Sequence, residues 1–469
     1  MKKKKPNILL IHSDQHRYDC VGANGHKIVK TPNLDRLAAE GANFSHAFTP
    51  CPICSPARAS LLTGTWSTTH RCIDIPNTET FRPAVPELPT MSAMLKEAGY
   101  LTGYVGKFHR EVEGGPTDHG FDEYVWNAPY NEWREKQGIP PFERKRGGFG
   151  EIDEDCPADK SNLHWQADQI LRLLDERVGK EDPFFVRWDP PQPHLPCCPP
   201  REFADLYPPE DIPPWPSWPD PLENKPRVQK RQKRIWGLEE WPWEKWQPVV
   251  SRYFAIITQL DYEIGRLVKC LEDRGVLDDT IIVYTTDHGD YCGGHGQIDK
   301  HFAMYDDITR VPLLIRWPEK VEPGVECDGF VTQEIDIART LVESAGLKAP
   351  ESFIGMNLVE LAAGRETPRE DIFSQYFGGE TGAYSQRMIR DYRYKYVYNP
   401  TAFDELYDLQ EDPGEIKNLI DEPEMRDELK RLRQRLWDWM GDIHDPLRRH
   451  WTEVDLIGGK NMAQRAGLD

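Results

Sequence analysis

A chain of 469 residues, 38% hydrophobic and 29% charged, is long enough for a large core domain with a smaller companion and has the make-up of a globular protein. Its formal net charge of −20 excludes general nucleic-acid binding, which needs a basic footprint, yet leaves room for a local basic site that takes an anion. No stretch is apolar for long enough to span a membrane, and the ten cysteines lack the spacing of a disulfide framework, so most read as reduced and buried.

The N-terminal MKKKKPNILLIHSDQ has the basic start of a signal peptide. Its apolar run spans only Ile8 to Ile11, short of the roughly 7 to 15 apolar residues of a signal core. The chain as given is therefore expected to be cytoplasmic, or periplasmic or secreted if a natural signal was trimmed before Met1. NILLIHS, apolar without alternation and polar at its end, predicts a buried strand of a parallel sheet. TPNLDRLAAEG predicts a helix, with a threonine cap, proline in the first turn and a closing glycine. CSPARASLLTG predicts a helix starting near Ser55 or Pro56, TMSAMLKEAG another helix, and LTGYVG a strand. Residues 162–178 read as helix and PFFVRW as strand. From 251 to 272, Tyr253, Ile257, Leu260, Ile264, Leu267 and Leu271 recur at spacings of three and four, the mark of a long amphipathic helix. TIIVYTTDHGD and VPLLIRW predict further strands. This alternation predicts an α/β core with a large, mostly parallel sheet flanked by helices. In such sheets ligands gather at the carboxyl ends of strands.

Residues 183–226 differ, holding fifteen of the 40 prolines, and are expected to be irregular and stiff. Residues 215–246 add six of the 15 tryptophans, so 183–246 reads as a lid or rim on the core. After about residue 366, MIRDYRYKYVYN and DELYDLQEDPGE predict short antiparallel strands, and 421–440 a helix. The expected division is thus 1–365 for the α/β domain and 366–469 for a small α+β subdomain.

Two acidic clusters follow predicted strands, Asp14-Gln15 after NILLIHS and Asp287-His288 after TIIVYTT. Strand ends of this kind commonly serve only as caps and turns. If one sheet brings both together, their oxygen and nitrogen atoms suit a divalent cation. Cys54 opens a predicted helix, where free N–H groups give a positive potential, and Arg58 adds charge one turn later. A zinc ribbon would need a second CxxC beyond CPIC, and there is none. A plain thiolate nucleophile remains open.

CSPARASLLTG has the C-x-P-x-R…L-T-G pattern of the type I sulfatases, which belong to the alkaline phosphatase superfamily. GYLTGYVGKFH resembles the second signature of that family, with Gly99, Tyr100, Thr102, Gly106, Lys107 and His109 in register. NILLIHSDQ, PQPHLP, TTDHGD and DKHFAMYDD resemble further blocks in the same order, and the resemblance runs on to LYDLQEDPGE.

The resemblance implies an alkaline-phosphatase-like fold and a sulfuric ester hydrolase. It implies that a separate maturation enzyme, reading Pro56 and Arg58, converts Cys54 to formylglycine. One hydroxyl of the aldehyde hydrate would attack sulfur, and the second would lose a proton to expel sulfate. A thiol or serine could attack but could not discharge in that way. The implied metal is Ca²⁺, held by Asp14, Gln15, Asp287 and His288 with residue 54. Asp287 is implied as general base, Arg58 and Lys107 as stabilisers of the hydrate, and His109 as the group that takes the proton on release. Lys300 and His194 are implied to hold sulfate and protonate the leaving oxygen, with His301 a possible stand-in for Lys300.

Many family members carry Asp where Gln15 stands and Asn where His288 stands. One negative charge fewer and one nitrogen more leave Mn²⁺ or Mg²⁺ open. The Asp-Gln and Asp-His pairs also resemble the phosphonate monoester hydrolases, an alternative reading that the Lys107/His109 pair opposes. A non-catalytic glycan-binding relative is a third reading, opposed by the intact constellation. The tryptophans of 215–246 are expected to stack on sugar rings. KPRVQKRQKR, six basic residues in ten from Lys225 to Arg234, suggests a polyanionic substrate such as a sulfated polysaccharide. A solvated loop or a subunit contact would explain the same run equally well. No nucleic-acid or membrane partner is expected. The tail from Arg448 to Asp469 offers a contact to a neighbouring subunit, and the oligomeric state is left open.

Overall fold

The architecture comes from a computed structural model that describes residues 5–75, 87–109, 112–143, 149–379 and 382–459. The end of the expected tail contact, from 460 on, lies outside the described residues. Fourteen strands are formed among the described residues. They are β1 Asn7–Ser13, β2 Ala42–Phe44, β3 Ala47–Phe48, β4 Leu101–Gly106, β5 Glu123–Val125, β6 Phe184–Asp189 and β7 Thr280–Thr286. They continue with β8 Leu314–Arg316, β9 Val325–Cys327, β10 Val331–Thr332, β11 Ile372–Gly379, β12 Gly382–Arg390, β13 Tyr394–Tyr398 and β14 Glu405–Asp408.

Eight of them form the main sheet in the order β5-β4-β6-β1-β7-β8-β2-β9. The five strands from β5 to β7 run parallel, whereas β8 is antiparallel to both β7 and β2, so the sheet is mixed and mostly parallel. β1 shows why its sequence is apolar throughout. Ile8 and Leu10 enter the core on one face, and Leu9 and Ile11 enter the core on the other. A strand covered by helices on both sides has no polar face to show.

The helices Asn162–Arg177 and Trp243–Asp273 supply Ile170, Leu173, Ile257, Leu260 and Leu267 to one layer. The helix Gln333–Ser344 supplies Ile337, Leu341 and Val342 to the other. The long helix begins eight residues before its expected start, with Pro248 inside its second turn. Near a helix start a proline removes few hydrogen bonds, so the helix tolerates it there.

The second sheet, β11-β12-β13-β14, is an antiparallel meander on which the helix Arg426–Asp442 packs through Leu432, Leu436, Trp439 and Met440. It docks on the segment before Cys54: Gln375 N donates to Pro50 O at 2.8 Å, and Ser374 Oγ to Thr49 O at 2.9 Å. The proline-rich stretch 183–226 begins with β6, and beyond that strand it holds two short helical turns, Arg201–Ala204 and Pro209–Asp211; the basic run that follows is the helix Arg227–Ile235. The tryptophans depart from expectation. Trp215 and Trp246 are buried, and Trp218, Trp241 and Trp243 are half-buried around Leu238, Val249 and Ile298. They form the core of the rim, and only Trp236, 36% accessible, counts as exposed. All ten cysteines are free thiols and nine are buried, which fits their reading as reduced. No described helix is long and apolar enough to cross a membrane.

Candidate active site

β4, β6, β1 and β7 are neighbours and parallel, so their carboxyl ends share one edge. The register of β1 on β7 sets Ser13 opposite Thr286, which brings Asp14 beside Asp287. The helix Cys54–Thr63 points its first residue at the same place, and all ten of its residues are buried. It closes at Gly64, whose φ of 63° and contact with the Phe353 ring leave no room for a side chain. The Cys54 Sγ lies 3.2 Å from His288 Nε2 and 3.9 Å from Asp14 Oδ1. One ligand atom from each of Asp14, Cys54, Asp287 and His288 lies within 4.8 Å of the others, and all four residues are buried.

Arg58, one turn into the helix, binds three carboxylates at once. It donates to Asp287 Oδ2 through Nε at 3.0 Å and Nη2 at 2.8 Å, to Asp14 at 3.2 Å, and to Asp189 through Nη1. Lys107 follows β4. It lies there because Gly106, at φ 114°, turns directly under the Asp189 carbonyl, where a Cβ would come within 2.0 Å of oxygen. Its Nζ is 2.5 Å from Asp14 Oδ2 and 3.6 Å from Cys54 Sγ. These charges set the protonation states. Burial pushes the Asp14 carboxyl up, but Lys107, His194 and Arg58 hold it well below the usual range. Burial and Asp14 push the Cys54 thiol up, but Lys107, Lys300 and His288 carry it well below its ordinary value.

His288 donates from Nδ1 to Gly289 O at 2.8 Å, which leaves Nε2 facing Cys54. Burial lowers its pKa, yet Asp287 and Cys54 raise it overall. The field that favours a proton at this nitrogen also favours a cation. Two carboxylates, an imidazole nitrogen and the residue-54 side chain, converging in a buried pocket, therefore fit a divalent ion.

The other expected residues take distinct places. Lys300 Nζ lies 3.1 Å from His194 Nε2 and 3.3 Å from Gln15 Oε1. His194 Nδ1 faces Leu195 O at 2.8 Å and must carry the hydrogen, so Nε2 accepts from Lys300. Burial, then Lys300, lowers the His194 pKa. Gln15, at φ 70°, places its Oε1 on Lys300 Nζ and its Nε2 2.5 Å from Asp290 Oδ2, while its backbone N–H donates to Asp287 Oδ1 at 3.1 Å. His109 is set beside the start of the Cys54 helix by Ser55 Oγ, which donates to its carbonyl at 2.8 Å. His301 faces Tyr376, with its Nδ1 3.3 Å from the hydroxyl.

Sequence reasoning missed a layer beneath the site. Asp189, at the end of β6, is bound by Arg58 and by Arg187, and His12 Nδ1 stands 3.5 Å from it. All are buried. The signal was the pair Arg187 and Asp189, two charged residues on one side of a strand otherwise made of Phe, Val and Trp. Asp290 was also missed. Burial, with Asp299 nearby, pushes its carboxyl up to about 7, while its Oδ1 accepts from the amides of Cys292 and Asp299 at 2.6 and 3.1 Å.

The sulfatase family model matches residues 6–347, and the model of the N-sulphoglucosamine sulphohydrolase C-terminal region matches 293–441. An arylsulfatase of Clostridium perfringens is 31% identical, over 92% of this chain and 93% of its own. An N-acetylglucosamine-6-O-sulfatase of Bacteroides thetaiotaomicron is 26% identical, over 92% of this chain and 86% of its own. Among solved structures, a phosphonate monoester hydrolase of Agrobacterium radiobacter superposes with a TM-score of 0.80 at 25% identity, over 94% of this chain and 96% of its own.

Proposed function

The chain belongs to the sulfatase family, whose members hydrolyse sulfate esters, and from that premise we propose that its substrate is a sulfated carbohydrate. The observation that carries the chemistry is the group of Asp14, Cys54, Asp287 and His288, with Arg58, Lys107 and Lys300 turned onto it. A relative named for a sulfated amino sugar supports the sugar assignment.

Asp14, Gln15, Asp287 and His288, with residue 54, would hold a divalent cation, Ca²⁺ in the first place and Mn²⁺ or Mg²⁺ in the second. That cation would supply Lewis acidity, and formylglycine made from Cys54 by a maturation enzyme the nucleophile. Asp287 would take the proton of the attacking group. Its two oxygens are already fixed, Oδ2 by Arg58 and Oδ1 by the amides of Gln15 and His288, so the carboxylate keeps one aim. Lys107 would stabilise negative charge at position 54, and His109 would take the proton on release of sulfate. In the Lys300–His194 pair the mobile proton sits on Lys300 Nζ, because His194 Nε2 is the acceptor. Lys300 and His194 would together hold the sulfate and protonate the leaving oxygen, with His194 orienting an ammonium that Asp299 and the other anionic groups around it keep charged.

The likeness to a phosphonate monoester hydrolase supports a second reading of the same site. Matched sulfate and phosphonate monoesters of one leaving group separate the two. The sulfatase reading expects the higher kcat/KM on sulfate, and a preference for phosphorus above about tenfold, or 1.4 kcal/mol of transition-state binding, would overturn it. Turnover of sulfated monosaccharides against aryl sulfates tests the sugar assignment. Peptide mass spectrometry at residue 54 tests the conversion of the cysteine.

A further inference from the structure

The helix Arg227–Ile235 lays its inner face on the loop that carries Lys300. Gln232 Nε2 donates to the Lys300 carbonyl at 3.2 Å, and Gln229 Oε1 accepts from the Tyr305 hydroxyl at 2.7 Å. Both glutamines are buried. The outer face is their opposite. Arg227, Lys230, Arg231 and Arg234 fall at i, i+3, i+4 and i+7, so they line one side, and all four are exposed. The helix sequence RVQKRQKRI has no acidic residue, in a chain whose 78 acidic residues outnumber its 58 Lys and Arg.

Arg234 pairs with Glu239 at 3.0 Å. Arg227, Lys230 and Arg231 have no ion pair among the described residues. Arg227 and Arg231 stand four apart, as do Lys230 and Arg234, a spacing at which like charges repel. Among the described residues, the repulsion between Arg227 and Arg231 has no ion pair to relieve it. Its C-terminal end joins the core of the rim: Trp236 meets Phe149 at 5.9 Å between ring centroids, and Phe149 packs against the same cluster as Leu195, the neighbour of His194.

We propose that this face is a docking strip for a polysulfated oligosaccharide, taking sulfate groups other than the one hydrolysed. The proposal rests on the carbohydrate sulfatase reading of the strand-end site. Charge complementarity names the occupant. Successive side chains one turn, about 5.4 Å, apart can meet several sulfates of one extended chain. Sulfated glycan is favoured over nucleic acid because the neighbouring strand-end site is read as acting on a sulfated carbohydrate, whereas a chain of net charge −20 offers no general basic footprint for a phosphate backbone.

The test uses the full chain with Arg227→Glu, Lys230→Glu and Arg231→Glu combined. The three side chains are exposed, and an unchanged thermal midpoint checks that the variant folds. The probes are a heparin-derived octasaccharide, an aryl sulfate and duplex DNA of matched charge, with Kd measured at 50 and 200 mM salt. The expected result is octasaccharide binding weakened about tenfold or more, a flatter salt dependence and unchanged aryl sulfate turnover. Duplex DNA should bind the wild type far more weakly than the octasaccharide. Unchanged octasaccharide binding, an equal loss of aryl sulfate turnover, or DNA binding as tight as the octasaccharide would each overturn the proposal. Failure of the sugar reading itself shows separately, as wild-type enzyme that turns over aryl sulfate and no sulfated sugar of any length.

Discussion

The cations at the strand ends and those on the outer face of the Arg227–Ile235 helix carry the same charge in opposite surroundings. Arg58 is fully buried and bound to Asp14, Asp189 and Asp287, and Lys107 is bound to Asp14. Such cations are already desolvated and aimed, so they act on an anion at one point. Removing one partner strands a buried charge and costs about 3–5 kcal/mol. Arg227, Lys230 and Arg231 are exposed, and they attract anions over a range limited by salt to about 8–10 Å. The first group suits chemistry on one sulfate and the second the gathering of many. A net charge of −20 hides both.

The sharpest way to break the comparison is Cys54→Ala. If the strand ends are the reacting site, turnover of aryl sulfate falls on the order of 10⁶-fold with the unfolding transition little moved. Activity within about tenfold of wild type would place the reaction elsewhere. His109→Ala comes next, with a loss of about 10²- to 10⁴-fold. It should keep a burst of leaving group and retain sulfate on the peptide that contains residue 54. A raised KM with no burst and no retained sulfate would make His109 a substrate contact.

Asp189→Asn asks whether the buried cations depend on their hidden partners. The Asp189 carboxylate reaches the site through Arg58, so kcat should fall about 10- to 100-fold while KM stays nearly constant. A change in thermal midpoint alone, with kcat intact, would reduce Asp189 to packing.

The smallest contrast is one of stability against pH. Asp220, in the rim, lies 2.6 Å from both Lys225 Nζ and His295 Nδ1. Burial pushes its carboxyl up, but His295 and Lys225 bring it down to about 2. A depressed carboxyl stabilises the fold above its unfolded pKa, near 4, and loses that contribution as pH falls toward 2, about 2 kcal/mol in all. Urea midpoints of the wild type should fall across that window more steeply than those of Asp220→Asn. Parallel curves would detach the rim's ion pairs from its stability.

Much of the fold was legible because its signals are local. β1, β4, β6 and β7 and the helices between them follow from apolar runs, caps and a spacing of three and four. The rim was misread where composition stood in for packing. Trp246, in the first turns of the long helix, is fully buried, so the tryptophans meet each other before any sugar. The basic run, open between a solvated loop and a binding segment, is a helix with two buried glutamines.

By itself the sequence determined that acid pairs close two buried strands and that a cysteine opens a helix with arginine one turn on. Short-range spacing fixes such features, and the resemblance reads them directly. Only the tertiary structure decided that Lys300 donates to His194, 106 residues away, that Arg58 reaches Asp189, 131 residues away, and which face of the basic helix meets water. Those pairings depend on which strands become neighbours and on where each loop lands, and no period within one segment encodes the partner in another.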